Sequence, residues 1–179
     1  RTKINKHNYN LISIKSLCES NLIVFTSGKE LSKREMIDGS YLVIQSGKTN
    51  LGLHNEYNFE NVVTISNITG YVNYYKNKVY LSRCYAVYSK DENIILNKYI
   101  YYALKGQQEY ISNLKRGTGT PHVGRKDVSK IEIPLLDISE QRKIIEDLDQ
   151  QYDLINQHNK LIKDCSQILE EKFNSYGLN

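Results

Sequence analysis

The sequence predicts an α+β chain: a domain built on a mixed, twisted sheet, followed by a long C-terminal helix of coiled-coil character. Short β-branched and aromatic runs, among them Tyr41–Ile44, Asn61–Ser66 and Cys84–Tyr88, are separated by Gly- and Asn-containing turns. A stretch with helical apolar spacing, Asn97 to Lys115, follows these strands instead of alternating with them. From Leu136 to Phe173 the pattern changes again, to a seam that repeats every three and four residues.

That seam is Ile145, Leu148, Tyr152, Ile155, Asn159, Ile162, Ser166, Leu169 and Phe173. It is sustained for about four heptads, and no Gly or Pro interrupts it between Ser139 and Tyr176. Asp137 or Ser139, with Glu140 beside them, supplies a capping start just after Pro134. A helix of some 35 residues would be roughly 50 Å long at 1.5 Å per residue. Leu154, Leu161, Cys165 and Ile168, with His158 among them, form a second line on a neighbouring face, which suits packing on both sides. Asn159 and Ser166 sit on the seam either as buried polar groups that fix register or as solvated positions where a partner helix has diverged.

At 179 residues with 40% hydrophobic content, there is room for one ordinary domain plus this helix. The apolar runs are too short to span a membrane, and no signal segment opens the chain. The first residue is Arg1, so the sequence reads as a piece of something longer. Cys18, Cys84 and Cys165 are odd in number and widely spaced, and the four histidines are scattered; neither a zinc site nor a disulfide framework is expected, and reduced cytoplasmic thiols are. The net charge of +4 conceals a division: residues 1–136 carry 19 Lys/Arg against 11 Asp/Glu, or +8, while 137–179 carry 5 against 9, or −4. A basic domain suits a polyanion, although a solvated Lys-rich surface is the commoner meaning of so modest an excess.

Residues 1–10 read as a polar leading segment, and Leu11 to Cys18 as either a short strand or a helical turn. Gly28 to Asp38 reads as a polar loop or short helix. The strand Tyr41–Ile44 runs into a small polar loop, Gln45 to Asn50, in which Gln45, Lys48 and Asn50 can reach adenine or guanine edges; Arg83 can do likewise from a later turn. The bland reading of that loop is a solvated hairpin tip. Asn61–Ser66 and Tyr71–Tyr75 form a hairpin across Asn67–Gly70, and Val79–Leu81 and Cys84–Tyr88 are expected to continue the same sheet. The 15 tyrosines can stack on bases, but in strands they more often serve half-buried packing. Asn97 is expected to cap a single helix, with Ile100, Ala103, Leu104, Ile111 and Leu114 on one face, running to about Lys115.

The loop from Lys115 to Lys126 is the most informative. Three glycines admit backbone N–H groups to a ligand, Thr118 and Thr120 offer hydroxyls, and Lys115, Arg116, His122, Arg125 and Lys126 offer positive charge or imidazole, a set that suits phosphate. The GxxxxGK[ST] order is absent, and no helix is expected directly after the loop. A strand over Val128–Pro134 is expected to lead into the long helix.

The runs Arg116-Gly117-Thr118-Gly119-Thr120-Pro121-His122, Asp127 to Leu135 and Ser139-Glu140-Gln141-Arg142-Lys143-Ile144-Ile145 together resemble the end of a target recognition domain from the specificity subunit of type I restriction-modification systems. The recognition domains of fused type II restriction-methylation enzymes are similar. The resemblance is firmest over residues 116–145; Leu136 departs from it, since family members usually carry a second proline there. It implies a DNA target recognition domain over 1–136 and a spacer helix over 137–179, used for dimerisation and methyltransferase docking. It implies reading of one half of a bipartite double-stranded DNA target, with methyltransferase and restriction subunits as partners. S-adenosylmethionine would be bound by the partner methyltransferase, and no cofactor by this chain. A whole specificity subunit resembles two such domains and two antiparallel helices. This chain is therefore half of a subunit, a half-subunit that pairs with itself, or the tail of a fused enzyme. Family resemblance favours an antiparallel partner helix, whereas Asn159 facing its own copy would favour a parallel one.

Two other classes compete. An enzyme would need Cys84 or Cys165 as nucleophile with His122 as base, but a Cys in a strand and another on an apolar helix stripe are more often core residues. A coiled-coil adaptor would use the sheet domain to bind protein. No methyltransferase Asn/Asp-Pro-Pro-aromatic run and no PD…(D/E)xK nuclease pattern is present, so no catalytic and no metal-binding residues are expected in this non-catalytic module.

Overall fold

The computed structural model describes residues 10–36, 38–45 and 49–176. The polar lead over residues 1–9, Ile37, and the centre of the Gln45–Asn50 loop, Ser46 to Lys48, lie outside them. The chain divides into two compact units, Arg1–Gln141 and Arg142–Asn179.

In the first unit, β1 (Leu11–Ser13) runs directly into α1 (Ile14–Glu19), so both alternatives for this stretch are realised in turn. The Ser13 hydroxyl accepts from the Ser16 N–H, an N-cap that makes the switch from strand to helix abrupt. β2 (Ile23–Ser27) follows, and after it the described residues from Gly28 to Met36 form a loop with one 3-10 turn, Lys33–Glu35. Then come β3 (Tyr41–Gln45), β4 (Thr49–His54), β5 (Val62–Ser66), β6 (Val72–Tyr75), β7 (Val79–Ser82) and β8 (Cys84–Ser89).

These strands form two sheets, not one. The larger has the order β2-β8-β5-β6 and is antiparallel throughout. The smaller has the order β4-β3-β7, with β7 parallel to β3. Val79–Leu81 therefore leaves the sheet it was expected to continue. A parallel partner 37 positions upstream leaves no local signature, and β7 is buried at every position, as a strand packed on both faces must be. Ile44, Val79 and Leu81 from the smaller sheet meet Val62 and Ala86 from the larger in one core. Leu31 and Met36 pack against Val43 and Tyr80 in a second cluster.

Central strand β5 is also buried throughout, because α2 (Asn97–Lys105) packs against β5, β6 and β8. The single helix expected from Asn97 to Lys115 is broken into α2 and α3 (Gln108–Asn113). Gly106 is a poor helix former, and the amides beside it have better partners in the strands. Gln108 accepts from Val72 N–H at 2.9 Å and donates to Gly70 O, while Gln107 donates to Glu132 O. Asn97 does not cap α2. The N-cap is Leu96, the Asn97 side chain accepts from Ser89 N–H, and the Glu92 carboxylate accepts from Asn97 N–H, putting an anion at the positive end of the helix.

Beyond α3 lie a two-residue ribbon, β9 (Lys115–Arg116) with β10 (His122–Val123), the short α4 (Arg125–Val128) and β11 (Glu132–Pro134). A helical turn thus follows the glycine-rich loop where none was expected, and the strand predicted from Val128 begins four residues later. Gly124 in an extended conformation supplies the N-cap position that starts α4, and Asp127 occupies its first turn. β11 pairs antiparallel with β1, and Leu135 N–H donates to Asn10 O.

The last element is α5 (Ile138–Ser175), 38 residues and about 57 Å long at 1.5 Å per residue. Its first turn belongs to the first unit, where Gln141 is fully buried. Glu140 and Gln141 donate to Asp137 O, so Asp137 stands at the N-cap. The second unit is the remainder of this helix. Along it Tyr152, Leu154, Ile155, Leu161, Ile162, Ile168, Leu169 and Phe173 are exposed, while Ile145 and Leu148 are half-buried. Among the described residues no helix is long and apolar enough to cross a membrane.

Candidate functional site

Strand register gathers the sequence-predicted loop residues at one end of the first unit. Gln45 closes β3 opposite Ser82, the last residue of parallel β7, so Arg83 follows immediately beside it. Cys84, next in the chain, pairs with Ser66 at the end of β5, and Tyr85 pairs with Ser27 at the end of β2. Asn67, directly after β5, accepts at its carbonyl from Val123 N–H at 2.7 Å, which brings the β9-β10 ribbon to the same end.

The ribbon is held by its base and free at its tip. Val123 is fully buried, and its carbonyl accepts from the Tyr85 hydroxyl at 2.9 Å. Burial pushes the Tyr85 phenol pKa upward, and the nearby Arg125 charge opposes this. Thr118, Gly119, Thr120, Pro121 and His122 are all exposed. Gly117 has φ 127, a backbone region closed to most side chains, so the turn at the tip requires glycine here. His122 Nδ1 lies 3.3 Å from the Thr120 carbonyl.

The arginines of this loop are engaged by the protein to different degrees. The Arg125 guanidinium stacks over the Phe25 ring at 4.3 Å and donates to Ser27 Oγ and Phe25 O, tying α4 to β2. Arg116 lies 3.7 Å from the Asp127 carboxylate with its side chain largely in solvent. Lys115 and Lys126 are exposed. With Lys29 and Arg83 beside them, cationic side chains among the described residues here outnumber the carboxylates of Glu30, Glu35 and Asp127, a local positive surplus. Lys48 lies outside the described residues. Of Asn50 the backbone alone is described, in β4 opposite Ile44.

Sequence reasoning placed Gly28 and Glu30 in a polar loop and gave them no role at this end. A Cβ at Gly28 would lie 2.3 Å from the Leu81 carbonyl oxygen, so only glycine lets the β2 exit approach β7. Glu30 forms an ion pair with Arg83. Neither carries a periodic signal, since their partners lie more than fifty positions away. Arg83 itself has φ 55, one of three non-glycine residues with positive φ among those described, and the other two, Asn21 and Asn61, are of the type that tolerates it. Replacing Arg83 with glycine should therefore raise stability by about 1 kcal/mol, or roughly 2–4 °C in Tm, since the exposed ion pair contributes little. A melting temperature that does not rise would show that this backbone is unstrained.

The match that decides the family is to the model of the type I restriction modification DNA specificity domain, over residues 6–164. The chain belongs to that family. Membership makes it a DNA-specificity module and disfavours the coiled-coil adaptor. The chain is 30% identical over 83 residues to the type I restriction enzyme MjaVIII specificity subunit of Methanocaldococcus jannaschii, covering 45% of this chain and 20% of that protein. It is 31% identical over 147 residues to a Mycoplasma pneumoniae protein named as a type I specificity subunit, S.MpnORF638P, covering 75% and 39%. Among solved structures, the type I restriction-modification S subunit from M. genitalium superposes with a TM-score of 0.69 at 26% identity, over 83% of this chain and 40% of that one. The HsdS subunit from Thermoanaerobacter tengcongensis, at 17% identity, shares the fold with a TM-score of 0.60, over 84% and 39%. The specificity domain described here thus spans about two fifths or less of the relatives it matches.

Proposed function

We propose that this chain reads one half of a bipartite double-stranded DNA target and positions methyltransferase and restriction subunits upon it. The observation that carries the proposal is the convergence of exposed basic and polar loops at one end of the two sheets. In this reading residues 1–136 grip DNA and residues 137–179 form the spacer that meets a second helix. The second helix belongs to another copy, to the other half of a subunit or to a methyltransferase, and we favour an antiparallel pairing. The chain works in the cytoplasm and performs no catalytic step; S-adenosylmethionine is bound by the methyltransferase.

Within the site, Arg116 on the ribbon and Arg125 and Lys126 on α4 position phosphates, with Thr118, Thr120 and His122 on the DNA-facing side of the ribbon. Base reading is assigned to Gln45, Lys48, Asn50 and Arg83, whose amide, ammonium and guanidinium groups can distinguish adenine from guanine; Lys48 and the Asn50 side chain lie outside the described residues. Lys126, exposed, can give its full charge to a phosphate, whereas Asp127 already draws on Arg116. Lys126→Ala should weaken binding to specific and random duplexes alike and reduce the slope of log affinity against log salt by about 0.9, the value for one lost phosphate contact. Arg116→Ala should do the same to a smaller extent. Fluorescence anisotropy across a salt series tests this, and unchanged affinity and slope in both variants would remove the ribbon and α4 from the DNA interface.

A further inference from the structure

We propose that Glu30 is a positioning residue for base recognition: it fixes the Arg83 guanidinium so that its remaining donors meet the O6 and N7 acceptors of a guanine in the major groove. The inference rests on the DNA reading of this end of the domain and adds to it a residue and a base.

The pair stands on a scaffold fixed on both sides. Gly28 N–H donates to Cys84 O at 2.8 Å, and Leu31 N–H donates to Ser82 Oγ at 3.0 Å, so the loop carrying Glu30 is tied to the turn carrying Arg83 immediately before and after it. Ser82 is fully buried and Leu31 nearly so, and Gly28 sits against the Leu81 backbone. On this base the two charged side chains meet in the open, 51% exposed for Arg83 and 68% for Glu30.

An ion pair so exposed contributes little to folding, and the left-handed backbone of Arg83 works against stability. The fold is therefore not what calls for arginine here; asparagine or glycine would fit the turn better. A carboxylate at a DNA-facing end also opposes phosphate, so Glu30 would weaken an interface in which Arg83 merely touched the backbone. It is useful if it takes one guanidinium nitrogen and leaves the others presented in a fixed fork. The guanidinium has five N–H donors and Glu30 engages Nη2, leaving enough for a bidentate contact. Arg to guanine O6 and N7 is the contact that geometry favours for such a fork. Gln45, beside Ser82 in the parallel register, places an amide next to it, suited to a neighbouring base pair.

The test is selection of this chain on a double-stranded DNA library with a randomised core, for the wild type, Glu30→Gln, Glu30→Asp and Arg83→Lys, with anisotropy on the selected and a scrambled duplex and a thermal melt of each protein. We expect the wild type to enrich a motif containing a guanine whose preference over other bases falls about ten-fold in Glu30→Gln and Arg83→Lys, within the range for one bidentate contact. Glu30→Asp should recover part of it. The rest of the motif and the melting temperature should hold, and Glu30→Gln should bind scrambled DNA at least as tightly as the wild type. A motif without guanine, or a guanine preference that survives Glu30→Gln, overturns the inference and leaves the DNA reading standing. Equal weakening on every sequence in Glu30→Gln overturns it as well. A wild type that enriches nothing overturns the base-reading assignment of this end itself, and the inference with it.

Discussion

Replacing Gln141 with alanine should cost the first unit about 3 kcal/mol, because three part-buried backbone groups lose their partner at once. The Gln141 amide donates to Ile94 O and Leu136 O and accepts from Leu96 N–H, all at 2.9 Å, and the side chain is fully buried. It satisfies the part-buried backbone just ahead of α2 and just ahead of α5. Leaving a polar group unsatisfied costs roughly 1–3 kcal/mol when it is buried, and about 1 kcal/mol each for these part-buried groups accounts for the loss. For a chain of this size the melting temperature should fall by some 6–12 °C at about 2–4 °C per kcal/mol. Glu140→Ala, one position earlier and exposed, should leave it nearly unchanged. If Gln141→Ala melts within a degree or two of the wild type, the amide is not the lock that the hydrogen bonds describe.

The double substitution of Ile155 and Ile162 with aspartate should abolish association through α5 while leaving the first unit folded. Ile155 is 52% and Ile162 64% exposed in the single chain, on a seam that continues through Leu169 and Phe173. An apolar stripe of that length in water marks an interface. Burying an isoleucine contributes about 1.5–3 kcal/mol, and a carboxylate in its place must be desolvated besides. Two such changes should weaken pairing by at least a thousand-fold, since about 1.4 kcal/mol corresponds to ten-fold. Sedimentation velocity at micromolar concentration should show association for the wild type, alone or with added methyltransferase, and a monomer for the variant. A wild type that stays monomeric in both conditions would refute the spacer-helix reading. Circular dichroism of the β-sheet signal checks that the first unit survives.

Much of this protein is determined locally. The seam of α5 repeats along the chain at helical spacing, and nothing has to be known about its surroundings to place Ile155 and Ile162 on one face. Likewise Tyr41–Ile44 and Asn61–Tyr75 are strand and hairpin because β-branched and aromatic residues flank the Asn67–Gly70 turn, where Gly70 adopts φ 72. The polar, glycine-rich character of residues 115–126 was likewise open to reading as an exposed loop.

Tertiary structure decided which surfaces meet. Val79–Leu81 has the same strand chemistry whether it joins the larger sheet or lies parallel to β3, and the choice follows from how the two sheets share Ile44, Leu81 and Ala86. Asn97 has the chemistry of a cap, yet Ser89 N–H claims its side chain and Glu92 serves the helix in its place. Arg125 carries a full charge, but whether that charge faces solvent or the Phe25 ring depends on a strand one hundred positions away. Glu30 and Arg83, 53 positions apart, show no relation until the loop after β2 is pinned to the end of β7. Periodicity and turn chemistry act over a few residues, so they specify elements. Partner choice is set by non-local pairing and burial, which act between segments that only the folded chain brings together.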